Sequence, residues 1–499
     1  MPIKHILIAN RGEIAIRIAR AARDLDLKTT AVFAAGDGAS LHVRCADMTQ
    51  ALPGAGAAGY LDIEALIAAA KTAGCDAVHP GYGFLSESAA FAGACQTAGL
   101  IFIGPSPEAL EALGDKARAR TLAARKGLPV IEGVAGPADE AEIAAFFESL
   151  PDNGAMIIKA VAGGGGRGMR VVREASEISA AFASAGREAL AAFGDGGLYA
   201  ERLIDRARHI EVQIAGDRTG VLAVGERDCS LQRRHQKIIE IAPAPNLDAV
   251  TRERLYDAAA TLAAAVRYRN LGTIEFLLDQ TTGNFFFIEA NARLQVEHTV
   301  TEEATGLDLV QIQIRLAAGE TLAKIGLDAT PAPRAAAVQA RVNLETLEAD
   351  GTVTPSGGIL TVYEPPTGPG VRVDGYGWAG YQTSPAYDPL LAKVIGVAPS
   401  YALAAARTSR ALAEFRIEGA ETNIGLLRAL LARPEVLAGE ATTRFIDEHA
   451  AALVAAALDL PAWTLTPAAA PAWRRRSGPS KWPRAISYAL ARQCASSKP

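Results

Sequence analysis

Two hydrophobic periods divide the chain. Residues 3–9 form an apolar run, Asn10-Arg-Gly-Glu13 turns, and an alanine-rich stretch continues to about Leu25, which predicts strand, turn and helix. Thr29–Phe33 reads as a second strand, 62–73 as a helix, and Asp76–His79 and 100–103 as further strands, with the turn at Gly104–Pro107 closing an α/β region near residue 113. Beyond Gly114-Asp-Lys116 the pattern becomes mixed. Ala155–Lys159, Leu198–Ile204 and Arg208–Gln213 predict strands, the last alternating polar and apolar as a half-buried strand does. Thr273–Leu278 and the apolar run from Phe285 predict a hairpin around the turn at 279–284. A helix over 308–318 and a proline-rich joint at 328–334 precede a β-rich region from Ala337, with glycine-rich turns at 351–380 and helical patterns around 400–431. No internal repeat is evident.

Composition narrows the class. A chain of 499 residues, 49% apolar and 21% charged, suits a soluble globular protein of about three domains. No apolar run approaches the roughly 18 residues a membrane helix needs, and the start lacks a signal peptide's apolar core. Five cysteines without a CxxC spacing fit a reducing cytoplasm, and a net charge of −5 gives no case for nucleic acid. The last stretch differs: residues 474–499 carry seven Lys or Arg and no acidic residue. A basic anion-binding arm, a poorly ordered linker and the remnant of a longer reading frame all fit it.

Candidate chemistry gathers around the hairpin. Glu289 and Asn291, two apart, share one face of a strand, and pairing the two strands sets Glu275 almost opposite Glu289. Facing like charges destabilise a sheet, so the pair calls for a cation, and hard oxygen ligands suit Mg²⁺ better than zinc. An exposed hairpin edge with scattered charge is the alternative. The opening strand-turn-helix lacks G-x-G-x-x-G, so nicotinamide binding is unsupported. Pro80–Ser88 is either a ligand loop at a strand end or a glycine-rich turn. After Lys159 come Gly163–Gly166, four consecutive glycines that cannot build a core but let backbone N–H groups close over phosphate as a mobile lid; a flexible linker is the bland reading. Leu198–Ile204 could offer backbone groups to a purine edge. Gly225–Lys237 holds five positively chargeable side chains, as a solvated basic loop or a positioned anion site.

Ile8–Glu13, His79–Glu87, Lys159–Met169, Glu226–Lys237 and Glu289–His298 resemble, in order, the motifs of the biotin carboxylase family, over roughly residues 3–447. The resemblance implies an α/β and α+β multidomain ATP-grasp fold: a pre-ATP-grasp α/β domain (1–113), an ATP-grasp domain (114–325) with a glycine lid (about 131–203), and a C-terminal β-rich domain (334–447), then a poorly ordered tail (448–499). It also implies ATP- and bicarbonate-dependent carboxylation of biotin through carboxyphosphate, in an acyl-CoA or related carboxylase. Carried over by residue, Lys116, Lys159, Gly163, Gly164, Gly165, Gly166, Glu201, Leu203, His209 and His235 would contact ATP. Glu275, Glu289 and Asn291 would hold Mg²⁺ or Mn²⁺. Lys237, Arg293, Gln295 and Val296 would form the bicarbonate site, with Glu297 as base and Arg341 stabilising the biotin enolate. The chain departs from the family pattern at Ala292, often Thr or Pro, at Gln339-Ala340, often Glu-Cys, and at Leu344–Thr346. No lysine adjoins any of the four methionines, as a biotinylated lysine would, so biotin is expected on a separate carrier protein or domain, alongside a carboxyltransferase. A homodimer is compatible; nucleic acid and membrane partners are not expected. Another bicarbonate-using ATP-grasp ligase and a truncated, impaired carboxylase chain are the competing readings, and the final carboxyl acceptor stays open.

Overall fold

The computed structural model describes residues 3–134, 136–151, 154–161 and 168–460. Strands β1 (His5–Ile8), β2 (Lys28–Ala35), β3 (Met48–Ala55), β4 (Ala77–His79) and β5 (Ile101–Phe102) form a parallel sheet in the order β3-β2-β1-β4-β5. The strand β3 escapes the sequence reading because it contains Pro53 and Gly54; an edge position tolerates both. The order reverses direction between β1 and β4, where the loops at the strands' carboxyl ends meet. There Asn10 Nδ2 donates to the carbonyls of Pro80 at 2.7 Å and Tyr82 at 2.8 Å, so Pro80–Ser88 is tied into the fold.

A second sheet is smaller. Strands β6 (Gly133–Val134), β7 (Met156–Ala160), β8 (Met169–Val172) and β9 (Leu198–Arg202) pair in the order β6-β9-β7-β8. Ile143 from helix Glu140–Ser149, and Ile178, Ala185 and Ala189 from helix Ile178–Phe193, close its core over Met156 and Ile158. The glycines expected to form a lid, Gly163–Gly166, lie outside the described residues.

The third sheet has eight strands and carries the candidate chemistry. It comprises β10 (Ala207–Gly216), β11 (Val221–Arg233), β12 (Gln236–Ala242), β13 (Asn270–Asp279), β14 (Phe285–Asn291), β15 (Ala336–Asn343) and strands Val371–Gly375 and Leu390–Ala398. The order is β14-β13-β10-β11-β12-β15, then Leu390–Ala398 and Val371–Gly375. Because β12 pairs with β15, the sheet runs unbroken across the proline-rich joint at 328–334.

Three expectations need correcting. The strand at Arg208–Gln213 is not half-buried: all of β10 is buried, in mid-sheet. Ile210, Val212 and Ile214 pack with Leu255, Ala259 and Leu262 of helix Ala249–Ala265. Its polar side is covered through Arg227, which donates to Gln213 Oε1 at 2.9 Å and Thr301 Oγ1 at 2.8 Å. The basic run 225–237 is not a loop either. It forms most of β11 and the start of β12, and Arg234 and His235 turn the hairpin tip with positive φ, 46° and 65°. The tail does not begin at 448, since Ala450–Asp459 is helical and buries Leu453 in the cluster of Leu427 and Leu430. Residues 461–499, the rest of the expected tail, lie outside the described residues.

Arg227 is fully buried and is the counter-ion of the equally buried Glu211. Replacing it with methionine takes the cation from one oxygen of that buried carboxylate and leaves Lys237 alone on the other. Arg227→Met should therefore lower unfolding free energy by about 3–5 kcal/mol, seen as a lower urea midpoint; an unchanged midpoint would show that Lys237 alone is enough to balance Glu211.

Candidate active site

Strand register builds the centre of the site. Glu289 on β14 pairs with Glu275 on β13, Glu275 with Glu211 on β10, and Glu211 with Arg227 on β11. Residues directly opposite share a face, so three carboxylates lie in a row ending on a guanidinium. Lys237, at the start of β12, reaches back over this row. Its ammonium meets Glu211 Oε2 at 2.5 Å, Glu275 Oε1 at 2.9 Å and Glu297 Oε1 at 2.7 Å, using all three of its protons. Burial opposes the charge on Lys237, but Glu211, Glu275 and Glu297 outweigh it and hold its pKa well above the ordinary lysine value. The second oxygen of Glu275 faces His209 Nε2 at 2.6 Å. Gln232 Nε2 lies 2.6 Å from His209 Nδ1 and, as donor, places the imidazole proton on Nε2. Burial raises the Glu275 pKa, yet Lys237 and then His209 bring it well below the usual carboxylate range.

The segment after β14 completes the arrangement. Arg293 donates to Glu87 at 2.9 Å and to Asn291 Oδ1 at 2.8 Å, and the Asn291 amide donates to Glu275 Oε1 at 2.8 Å. Gln295 donates to the same Glu275 oxygen at 2.7 Å and accepts from Arg227 at 3.1 Å. Glu297 takes Lys237 on one oxygen and, on the other, Arg341 Nη2 at 3.0 Å. Against its burial, Lys237, Arg341 and Arg227 keep Glu297 ionised far below the ordinary glutamate pKa. Arg341 also pairs with the buried Glu240, whose other oxygen accepts from Gln339 at 2.9 Å. The departure at Gln339 thus supplies an amide donor to a buried carboxylate. Next to it, Lys393 donates to the Val296 carbonyl at 3.0 Å.

The nucleotide candidates are more dispersed. Lys116, exposed at the start of helix Lys116–Arg125, pairs with Glu289 at 2.7 Å. Both line a cavity of about 440 Å³ with Glu87, Asn291 and Arg293. Lys159 pairs instead with Glu201 at 2.5 Å, and Arg120 bonds the same carboxylate. At the expected purine hinge, β9 is an interior strand of its sheet. Arg202 N–H already donates to Glu132 O at 2.9 Å and Leu203 N–H to Ala155 O at 2.7 Å, so those amides are not free for a base edge. In the basic run, Arg227, Arg233 and Lys237 each pair with carboxylates of the protein itself. Sequence reading missed Glu211 and Glu240. Glu211 was within reach, because His209, Glu211 and Gln213 repeat every second residue and share a face; Glu240 has no such signal.

Known proteins carry the same three regions. Residues 2–110 match the model of the biotin carboxylase N-terminal domain, 115–325 that of the carbamoyl-phosphate synthase L chain ATP-binding domain, and 339–448 that of the biotin carboxylase C-terminal domain. A solved biotin carboxylase domain of a single-chain bacterial carboxylase is 48% identical, with a TM-score of 0.82, covering 91% of this chain and 99% of that one. The chain belongs to the biotin carboxylase family. Membership makes it an ATP-dependent ligase. The biotin carboxylase domain dimer of Hydrogenobacter thermophilus 2-oxoglutarate carboxylase, solved with MgADP, ADP and bicarbonate, is 38% identical with a TM-score of 0.84 over 91% of this chain and 99% of that one. Mouse mitochondrial pyruvate carboxylase is 47% identical over 457 residues, 90% of this chain. The chain spans 38% of the length of that relative. Among the described residues, no helix is long and apolar enough to cross a membrane.

Lys237 links pH to stability. Glu275 and Glu297 are depressed in the folded state, so their stabilisation is present above the unfolded carboxylate pKa and fades as pH falls through the folded values. Lys237→Met should thus destabilise strongly at neutral pH, and its deficit relative to wild type should shrink on acidification below about pH 4. Urea unfolding of both proteins at several pH values reads this directly; a deficit that grows on acidification would mean Lys237 is not what holds the carboxylates ionised.

Proposed function

We propose that the chain carboxylates biotin on a carrier protein or domain, using ATP and bicarbonate, and hands the product to a carboxyltransferase. The observation that carries the assignment of roles is Glu297, an ionised carboxylate gripped by Lys237 and Arg341 beside the paired glutamates Glu275 and Glu289. Bicarbonate and the ATP γ-phosphate are both anions, so their reaction needs cations at the point of contact. Lys237 and Arg293 would receive bicarbonate with the Gln295 amide and the Val296 backbone, and Arg341 would hold the biotin ureido oxygen as negative charge develops there. Glu297 is a weak base while both cations sit on it. Substrate anions that draw Lys237 or Arg341 away raise its proton affinity where a proton must leave bicarbonate.

Glu275, Glu289 and the Asn291 carboxamide fit Mg²⁺ or Mn²⁺ in donor chemistry: hard oxygens aligned by register, now satisfied by cations and amides of the chain itself. Such an ion would neutralise phosphate charge at the reacting γ-phosphoryl group. Lys116, Lys159, His209, His235 and Glu201 would contact ATP; at Leu203 the side chain or carbonyl, rather than the amide, would make the contact. The N-terminal, ATP-grasp and C-terminal divisions at 1–113, 114–325 and 334–447 belong to the same proposal. So does a cytoplasmic location, supported by free thiols at Cys45, Cys75, Cys95 and Cys229. The carboxyl acceptor is chosen by the transferase partner and not by this site, so an acyl-CoA acceptor is one of several: matched relatives are named for pyruvate and for 2-oxoglutarate.

Phosphate release from ATP should require bicarbonate and rise further with biotin or a biotinylated carrier supplied in trans. Glu289→Gln should abolish release at saturating Mg²⁺ while the protein stays folded. Bicarbonate-dependent turnover that ignores biotin would place the chain with another ATP-grasp ligase, and full turnover by Glu289→Gln would remove the metal role.

A further inference from the structure

Two of the sequence motifs, Ile8–Glu13 and His79–Glu87, lie in the region that matches the N-terminal domain. The structure brings both to one buried cation. Lys393, on strand Leu390–Ala398, has no exposed surface. Its ammonium lies 3.0 Å from Glu13 Oε1 and 3.0 Å from the Val296 carbonyl. The same Glu13 oxygen accepts from the Tyr82 hydroxyl, and the Tyr82 ring centroid lies 6.0 Å from the ammonium. We propose that Lys393 is a positioning residue for the bicarbonate-activating segment Gln295–Glu297, and that Glu13 and Tyr82 hold Lys393 in place.

Register supports this division of work. Lys393 pairs with Arg341 on β15, so the two cations stand side by side on one face of the sheet. Arg341 grips the Glu297 side chain and Lys393 grips the carbonyl of the peptide that leads into Glu297. A peptide is planar, so fixing its carbonyl also fixes the approach of the next Cα. Glu297 is in turn the N-cap of helix His298–Thr305, which anchors the other end of the segment. The ammonium cannot drift from these acceptors, because a buried charge without partners costs several kcal/mol. Burial pushes the Glu13 carboxyl up to about 7, and the Lys393 ammonium opposes that rise. The remaining Glu13 oxygen has no hydrogen-bond partner, so Glu13 is committed to Lys393 and Tyr82 through one atom.

The inference rests on the biotin carboxylase reading of Glu297. Its test uses the full chain with Lys393→Met and Glu13→Gln, the latter keeping volume and an acceptor for Tyr82. Three quantities are measured: MgATP affinity by calorimetry, the thermal midpoint, and bicarbonate-dependent phosphate release resolved into kcat and KM for bicarbonate. A misplaced base predicts that kcat falls about 10–100-fold in Lys393→Met. Glu13→Gln should show a smaller fall in the same direction, with MgATP affinity within twofold of wild type in both. A merely structural ion pair would lower the thermal midpoint and leave kcat and KM of the folded protein unchanged, which would overturn the inference. If Lys393→Met does not fold, Glu13→Gln alone decides by the same criterion. Wild-type protein without bicarbonate-dependent phosphate release would instead defeat the functional reading and this inference with it.

Discussion

Three glutamates side by side on neighbouring strands repel one another, and the cations that answer this repulsion organise the site. Lys237 touches Glu211, Glu275 and Glu297 at once. That single ammonium joins the metal-type position, Glu275, to the proposed base, Glu297, so whatever displaces it at one end is felt at the other. Arg227 closes the row and His209 takes the free oxygen of Glu275. In water such pairs would contribute little; buried, each cation is held by the cost of leaving its carboxylate unpaired. The arrangement is therefore stiff.

Each of the three sequence regions contributes to this stiffness. The N-terminal region supplies Glu87 to Arg293 and Glu13 to Lys393, and the C-terminal region supplies Arg341 to Glu297. The β12–β15 pairing makes one sheet of the middle and last regions, so Arg341 and Lys237 approach Glu297 from the same rigid surface. Loops alone would not hold three charged groups to the few tenths of an ångström that hydrogen bonding to one carboxylate demands.

The hairpin register was legible in the sequence because a two-residue period and a short turn leave one sensible pairing, and Glu275 does pair with Glu289. Glu211 was legible in principle by the same period. That Arg341 and Glu297 serve one site came from family resemblance alone, and their contact from the structure, since nothing local links a strand beyond the proline-rich joint to this segment. Burial was misread where polarity was taken for exposure: alternation in β10 looked half-solvated, but Arg227 covers its polar side with ion pairs and hydrogen bonds. Which amides of Leu198–Ile204 are already hydrogen-bonded was not legible for a related reason, since strand order decides it and local sequence does not encode strand order.

The central claim is that these cations bring bicarbonate against the γ-phosphate of ATP. Bicarbonate labelled with ¹⁸O tests it most directly, by mass analysis of the inorganic phosphate released during turnover with biotin. Attack by bicarbonate leaves one labelled oxygen on the phosphate. Phosphate that carries no label, with turnover still proceeding, would mean that water attacks ATP and that the site does not join the two anions.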